Sequence, residues 1–86
     1  MEISETELSS IITERLQATH VQVTDMSGGC GQAFQVIIVS PLFHKKPLLM
    51  RHRMVNKALS EEIASIHAFT QKDYTPEEWA KASTSS

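Results

Sequence analysis

Seven residues, Ala33-Phe34-Gln35-Val36-Ile37-Ile38-Val39, constrain the fold of this chain more than any other stretch. Successive side chains of a strand point to opposite faces. Phe34, Val36 and Ile38 therefore share one face, and Ile37 and Val39 make the other partly apolar as well. A strand apolar on both faces suits the centre of a sheet. Upstream, Val21 and Val23 alternate with Gln22 and Thr24, the pattern of a half-buried strand. The stretch Ser27-Gly28-Gly29-Cys30-Gly31 then joins the two strands as the loop of an antiparallel hairpin.

Helices flank this hairpin. Ser4 and Glu7 form a capping-box pattern, with Ile3 and Leu8 placed to staple across it. Leu8, Ile11, Ile12 and Leu16 follow at helical spacing. Ser40-Pro41 ends the second strand, 42–46 connects, and Pro47 suits a helix start. One long helix is expected from about Leu48 to Ser65, with Leu48, Val55, Leu59 and Ile63 as its apolar stripe. A third strand is expected over Ile66–Gln71, with Ile66 and Ala68 inward and His67 outward. Thr75 and Glu78 make a second capping box, with Pro76 at the first helical position and Tyr74 and Trp79 at the staple positions. The expected class is α+β, in the order αββαβα. Its three-stranded mixed sheet has helices packed on it, and a helix links strands two and three in parallel.

With 86 residues, the chain is read as one domain over 1–82 with a disordered tail at 83–86. A chain this short buries a modest core, so function is expected at the surface. The net charge is -2, yet Lys45, Lys46, Arg51, Arg53 and Lys57 crowd into one short stretch. That permits a local basic face on an acidic average. Cys30 is the single cysteine, which excludes an internal disulfide and favours a reducing compartment. No secretory signal, mitochondrial presequence or membrane-length apolar run is seen, so cytoplasm with passage into the nucleus is expected.

The stretch Pro47-Leu48-Leu49, then Arg51-His52-Arg53, then Val55-Asn56 resembles the BolA family. Leu59-Ser60-Glu61-Glu62, Ile66-His67-Ala68-Phe69 and Thr75-Pro76-Glu77-Glu78-Trp79 continue the likeness over nearly the whole chain. Cys30, four residues before Phe34, places it with the eukaryotic cytosolic and nuclear branch. The resemblance implies a variant of the class II KH-like fold. It also implies a non-enzymatic role in iron–sulfur trafficking and iron homeostasis, with a monothiol glutaredoxin as partner. The two proteins would share a 2Fe–2S cluster. The glutaredoxin cysteine and glutathione would supply thiolates, and His67 and Cys30 would be the ligands from this chain.

The residues are chemically compatible with that implication. A 2Fe–2S cluster takes four ligands, and mixed cysteine and histidine ligation has precedent in Rieske centres. One thiol and one imidazole make half a site, so a partner must complete it. Taken without the resemblance, Cys30 reads as an incidental loop cysteine and His67 as a surface histidine. His52, on a helix beside apolar positions, reads as a structural histidine with a hydrogen-bonded ring. His20 and His44 have no supporting context. The stretch containing Arg51, Arg53 and Lys57 has two readings. It is a solvated helix face with Glu61 and Glu62 as neighbours, or a docking surface for glutaredoxin or glutathione carboxylates.

Two rival functions need different evidence. Gly28-Gly29-Cys30-Gly31 matches the Gly-x-x-Gly string with which KH domains clamp a nucleic-acid backbone. Here, however, the string joins strands where the KH loop joins helices, and it holds no lysine or arginine. A thiol enzyme would need an activated cysteine, and Cys30 has no Cys-x-x-Cys partner.

Overall fold

A computed structural model describes residues 3–28 and 32–84. The order is α1 (Glu5–Leu16), β1 (His20–Asp25), β2 (Ala33–Val39), a 3-10 turn (Pro41–Phe43), α2 (Leu48–Ala58), α3 (Ser60–Ala64), β3 (Ala68–Tyr74) and α4 (Pro76–Thr84). The sheet order is β1-β2-β3. β2 is central: it pairs antiparallel with β1, Val21 facing Ile38, and parallel with β3, Phe34 facing Phe69. The mixed α+β architecture therefore matches the expectation.

One face of the sheet carries the main core. Phe34, Val36 and Ile38 pack with Leu8, Ile12 and Leu16 of α1 and Val55 of α2. The other face is covered at one end by α4, where Trp79 stacks on His20 at 5.1 Å and tilts against Tyr74 at 5.4 Å. Val39 is buried as well, so β2 is covered on both faces at that end. Phe43, placed in a connector by sequence, is fully buried. Ser40 anchors that connector: its Oγ donates to Leu16 O at 2.6 Å and accepts from Leu42 N at 3.1 Å.

Both capping boxes form. Ser4 Oγ accepts from Glu7 N at 3.0 Å while Glu7 accepts from Ser4 N at 3.3 Å. Thr75 Oγ1 accepts from Glu78 N at 3.1 Å, and Glu78 Oε1 accepts from Thr75 N at 2.9 Å. Each box satisfies two orphan backbone donors at a helix start.

Three boundaries differ from the sequence reading. The expected long helix is two, divided at Leu59 (φ -113°, ψ 21°). Val55, Leu59 and Ile63 are spaced by four, whereas a helix turns every 3.6 residues. A straight helix would drift off the core along that series, and the bend at Leu59 lets Leu59 bury fully with Ile66 beyond it. The third strand lies later, because Ile66 closes the helical segment by donating to Ile63 O at 3.0 Å. Ala68 is consequently exposed, with Phe69 partly buried in its place. Helix α4 extends to Thr84, into the stretch expected as a tail.

Candidate functional site

The hairpin mouth is built from local turn chemistry. Met26 N donates to Ala33 O at 2.7 Å, closing the pair across the loop. Asp25 Oδ1 accepts from Ser27 N at 2.8 Å and Ser27 Oγ at 2.7 Å. Those bonds hold the Asp25 carboxyl below its ordinary value. Gly28 follows at φ +63°, the left-handed region that favours glycine. Cys30 lies outside the described residues.

Past the loop, Gln32 organises the site, and nothing in the sequence marked it. Its carbonyl accepts from His67 N at 2.7 Å and Ala68 N at 3.2 Å. Its amide clamps Ile3: Ile3 N donates to Gln32 Oε1 at 2.8 Å, and Gln32 Nε2 donates to Ile3 O at 2.9 Å. The entry to β2 is thereby fixed to both the residue before β3 and the residue before the α1 cap. His67 stands exposed at this junction, as expected, and no ion pair or hydrogen bond engages its ring among the described residues. It opens onto a groove of about 500 Å³ that also touches Ile66, Phe69, Asn56, Gln71 and His52.

The basic stretch does not form one surface. Arg51 is a correction to the docking reading: it is 6% exposed. Its Nε donates to Lys46 O at 2.8 Å and its Nη1 to Asp73 O at 3.0 Å. Nη1 and Nη2 also fork onto Glu78 at 2.7 and 3.1 Å. The first turn of α2 thus points a guanidinium inward, where it ties the helix to the end of β3 and to α4. The Arg51 pair drives the Glu78 carboxyl down to about 2, and Arg51 itself rises. Arg53 and Lys57 are exposed, and neither has an acidic partner among the described residues. Glu62, expected as a neighbour of this stretch, instead takes Arg15 of α1 at 2.7 Å.

His52 also differs from its reading. Among the described residues its ring makes no hydrogen bond; it is 44% exposed, and its Nε2 lies 3.6 Å from Asp73 Oδ2. The Asp73 side chain is fully buried, and neither carboxylate oxygen has a hydrogen-bond partner among the described residues. Burial raises that carboxyl to about 6, against the opposing pull of His52 and Arg51.

What fold and site define together is a small α+β domain with a mixed sheet, in which an exposed histidine, His67, is bonded through its backbone to Gln32 just before β2. The chain belongs to the BolA family: the family described as BolA-like protein matches residues 12–78. It is similar to BolA-like protein 2 of Mus musculus, 46% identical over 94% of this chain and 95% of the relative. It is also similar to BolA-like protein 2 of Saccharomyces cerevisiae, 55% identical over 76% of this chain, which spans 54% of that longer relative. Among solved structures, the crystal structure of a bol-like protein from Babesia bovis superposes with a TM-score of 0.86 at 42% identity, covering 96% of each chain. The solution structure of yeast Fra2 gives 0.77 at 49% identity, covering 94% of this chain and 88% of that one.

Proposed function

We propose that this protein is a non-enzymatic adaptor that shares a 2Fe–2S cluster with a monothiol glutaredoxin and glutathione, in iron–sulfur trafficking and iron-responsive regulation. The observation that carries the reading is the His67–Gln32 backbone bond. It sets a solvent-open imidazole beside the exit of the hairpin loop. Gln32 is two residues after Cys30 in sequence, and two peptide units span at most about 7 Å. That short tether to Gln32 supports the reading that the thiol and the imidazole act together.

The donor set fits a shared centre and no more. One thiol and one imidazole from this chain leave ligand positions for a second molecule. Among the described residues, no group of three or more His, Cys, Asp or Glu side chains could hold a metal alone. Among the described residues no hydrogen bond competes for the His67 ring, while the Gln32 carbonyl fixes its backbone. The family relationship supports the same partner. The α2 cations are not needed for this reading: the Arg51 guanidinium is consumed inside the fold, and Arg53 and Lys57 stay exposed on the helix. We place this activity in the cytoplasm and nucleus.

Anaerobic co-expression with a monothiol glutaredoxin tests the reading. A coloured heterodimer should elute, and His67→Ala should abolish or strongly alter its visible absorption. Cys30→Ala should change it less. Unaltered spectra in both variants would defeat the assignment of ligands. A salt-sensitive complex with random duplex DNA, and no coloured heterodimer, would favour the nucleic-acid alternative.

A further inference from the structure

The first turn of α2 presents an apolar surface that the cluster reading does not use. Leu48 is 62% exposed, Leu49 61% and Met50 43%, three of the four large exposed hydrophobics among the described residues. The long-helix reading placed Leu48 in the core. It is displaced because Arg51 occupies the inward position of that turn. Residues three and four apart are neighbours on a helix, so Leu49 and Met50 adjoin Arg53, and Arg53 adjoins Lys57. Lys45 and Lys46 lie just before the helix. These four cations, of eight Lys and Arg in the chain, make no ion pair among the described residues.

Beside Leu48 lies a cleft of about 470 Å³, walled by Lys46, Pro47, Arg51, Asp73 and Tyr74 with Glu78 at its edge. Its acidic members are already committed: Glu78 forks with Arg51, and the Asp73 side chain is buried. The free charge around the surface is therefore positive. The apolar end of the surface lies away from the candidate cluster ligand, while Asn56, next to Lys57, lines the His67 groove. Tyr74 ends β3 and His67 precedes its start, and seven residues of strand separate them by about 20 Å.

We propose that this face is a second docking surface, and that its occupant is an acidic amphipathic helix of a partner protein. The apolar side of that helix would lie on Leu48, Leu49 and Met50, with one side chain entering the cleft. Its carboxylates would face Lys45, Arg53 and Lys57, the arrangement of helix-in-groove recognition. Charge complementarity selects the sign, and the exposed leucines select a protein over a nucleic-acid backbone, which offers them no apolar contact. The apolar end of this face lies about 20 Å from His67, so its contacts at Leu48, Leu49 and Met50 leave the cluster end open to the glutaredoxin.

The test is a titration of the full isotope-labelled chain, followed by amide chemical shifts. The probe is a short synthetic helix of leucine, phenylalanine and glutamate. Shifts should concentrate at Leu48, Leu49, Met50, Arg53 and Lys57 and spare Gln32 and His67. Leu49→Ser, and separately Arg53→Glu with Lys57→Glu, should each weaken binding about tenfold. All three positions are exposed, and unchanged thermal melts will show that the variants fold. Equal binding of a lysine-for-glutamate peptide, or of an acidic peptide with serine for its apolar residues, would overturn the proposal. So would no binding, shifts centred elsewhere, tighter binding of duplex DNA to this face, or a dimer of this chain that Leu49→Ser dissolves.

Discussion

Replacing Arg51 with alanine separates a structural arginine from a docking one. The guanidinium makes charge-assisted bonds to the Lys46 and Asp73 carbonyls at 2.8 and 3.0 Å. Bonds to a charged group contribute about 1.5–3 kcal/mol each, so the pair is worth roughly 3–6 kcal/mol. The Glu78 side chain is 48% exposed, so that ion pair adds only about 0–1 kcal/mol. Water entering the vacated cleft re-solvates part of the loss, leaving a cost of about 3–4 kcal/mol. The whole domain should be stable by roughly 4–13 kcal/mol, so Arg51→Ala removes a large share. Urea denaturation followed by circular dichroism measures the loss, and the midpoint of a thermal scan should fall by about 12 °C or more. Arg53→Ala, three positions from Met50 on the solvent face, should stay within about 0.5 kcal/mol of the parent. An Arg51→Ala loss below about 1 kcal/mol, or an equal loss in Arg53→Ala, would refute the reasoning.

The Asp73 carboxyl is raised from 3.8 to about 6, so its contribution to stability is full below the lower value and is lost as pH rises through the upper. The unfolding free energy from urea melts across that interval should fall by about 2 kcal/mol in the parent, and Asp73→Asn should flatten the decline. Glu78 acts oppositely: its stabilisation is present above its ordinary value of 4.5 and fades as pH falls towards about 2. Leu59→Ala should cost about 3 kcal/mol in the same assay, because a fully buried leucine leaves a cavity where α2 meets α3. Ser4→Ala should cost about 1 kcal/mol by removing one cap acceptor, and Ser4→Gly less.

Features specified by neighbouring residues were legible in the sequence. Both capping boxes lie within four residues, and the β2 apolar pattern needs no partner to be read. β3 was misplaced because Thr70-Gln71-Lys72-Asp73 looks polar in isolation. Its strand character comes from pairing along the whole of β2, from Ala33 to Val39. Arg51 was read as a surface cation because charge in sequence says nothing about direction. Only the carbonyls of Lys46 and Asp73, one of them 22 positions away, make the interior hospitable to it. At the candidate site, the outward direction of His67 was legible from alternation with Ile66. Gln32 was not, since its role rests on contacts with Ile3 and His67, 29 and 35 positions distant in sequence.

Electron–nuclear double resonance on the reduced heterocomplex, with this chain carrying nitrogen-15 histidine, tests the shared-centre account most directly. The account expects strong hyperfine coupling to one imidazole nitrogen of the labelled chain, and its disappearance in His67→Ala. A spectrum without histidine nitrogen coupling, or one in which the coupling survives that substitution unchanged, would contradict it.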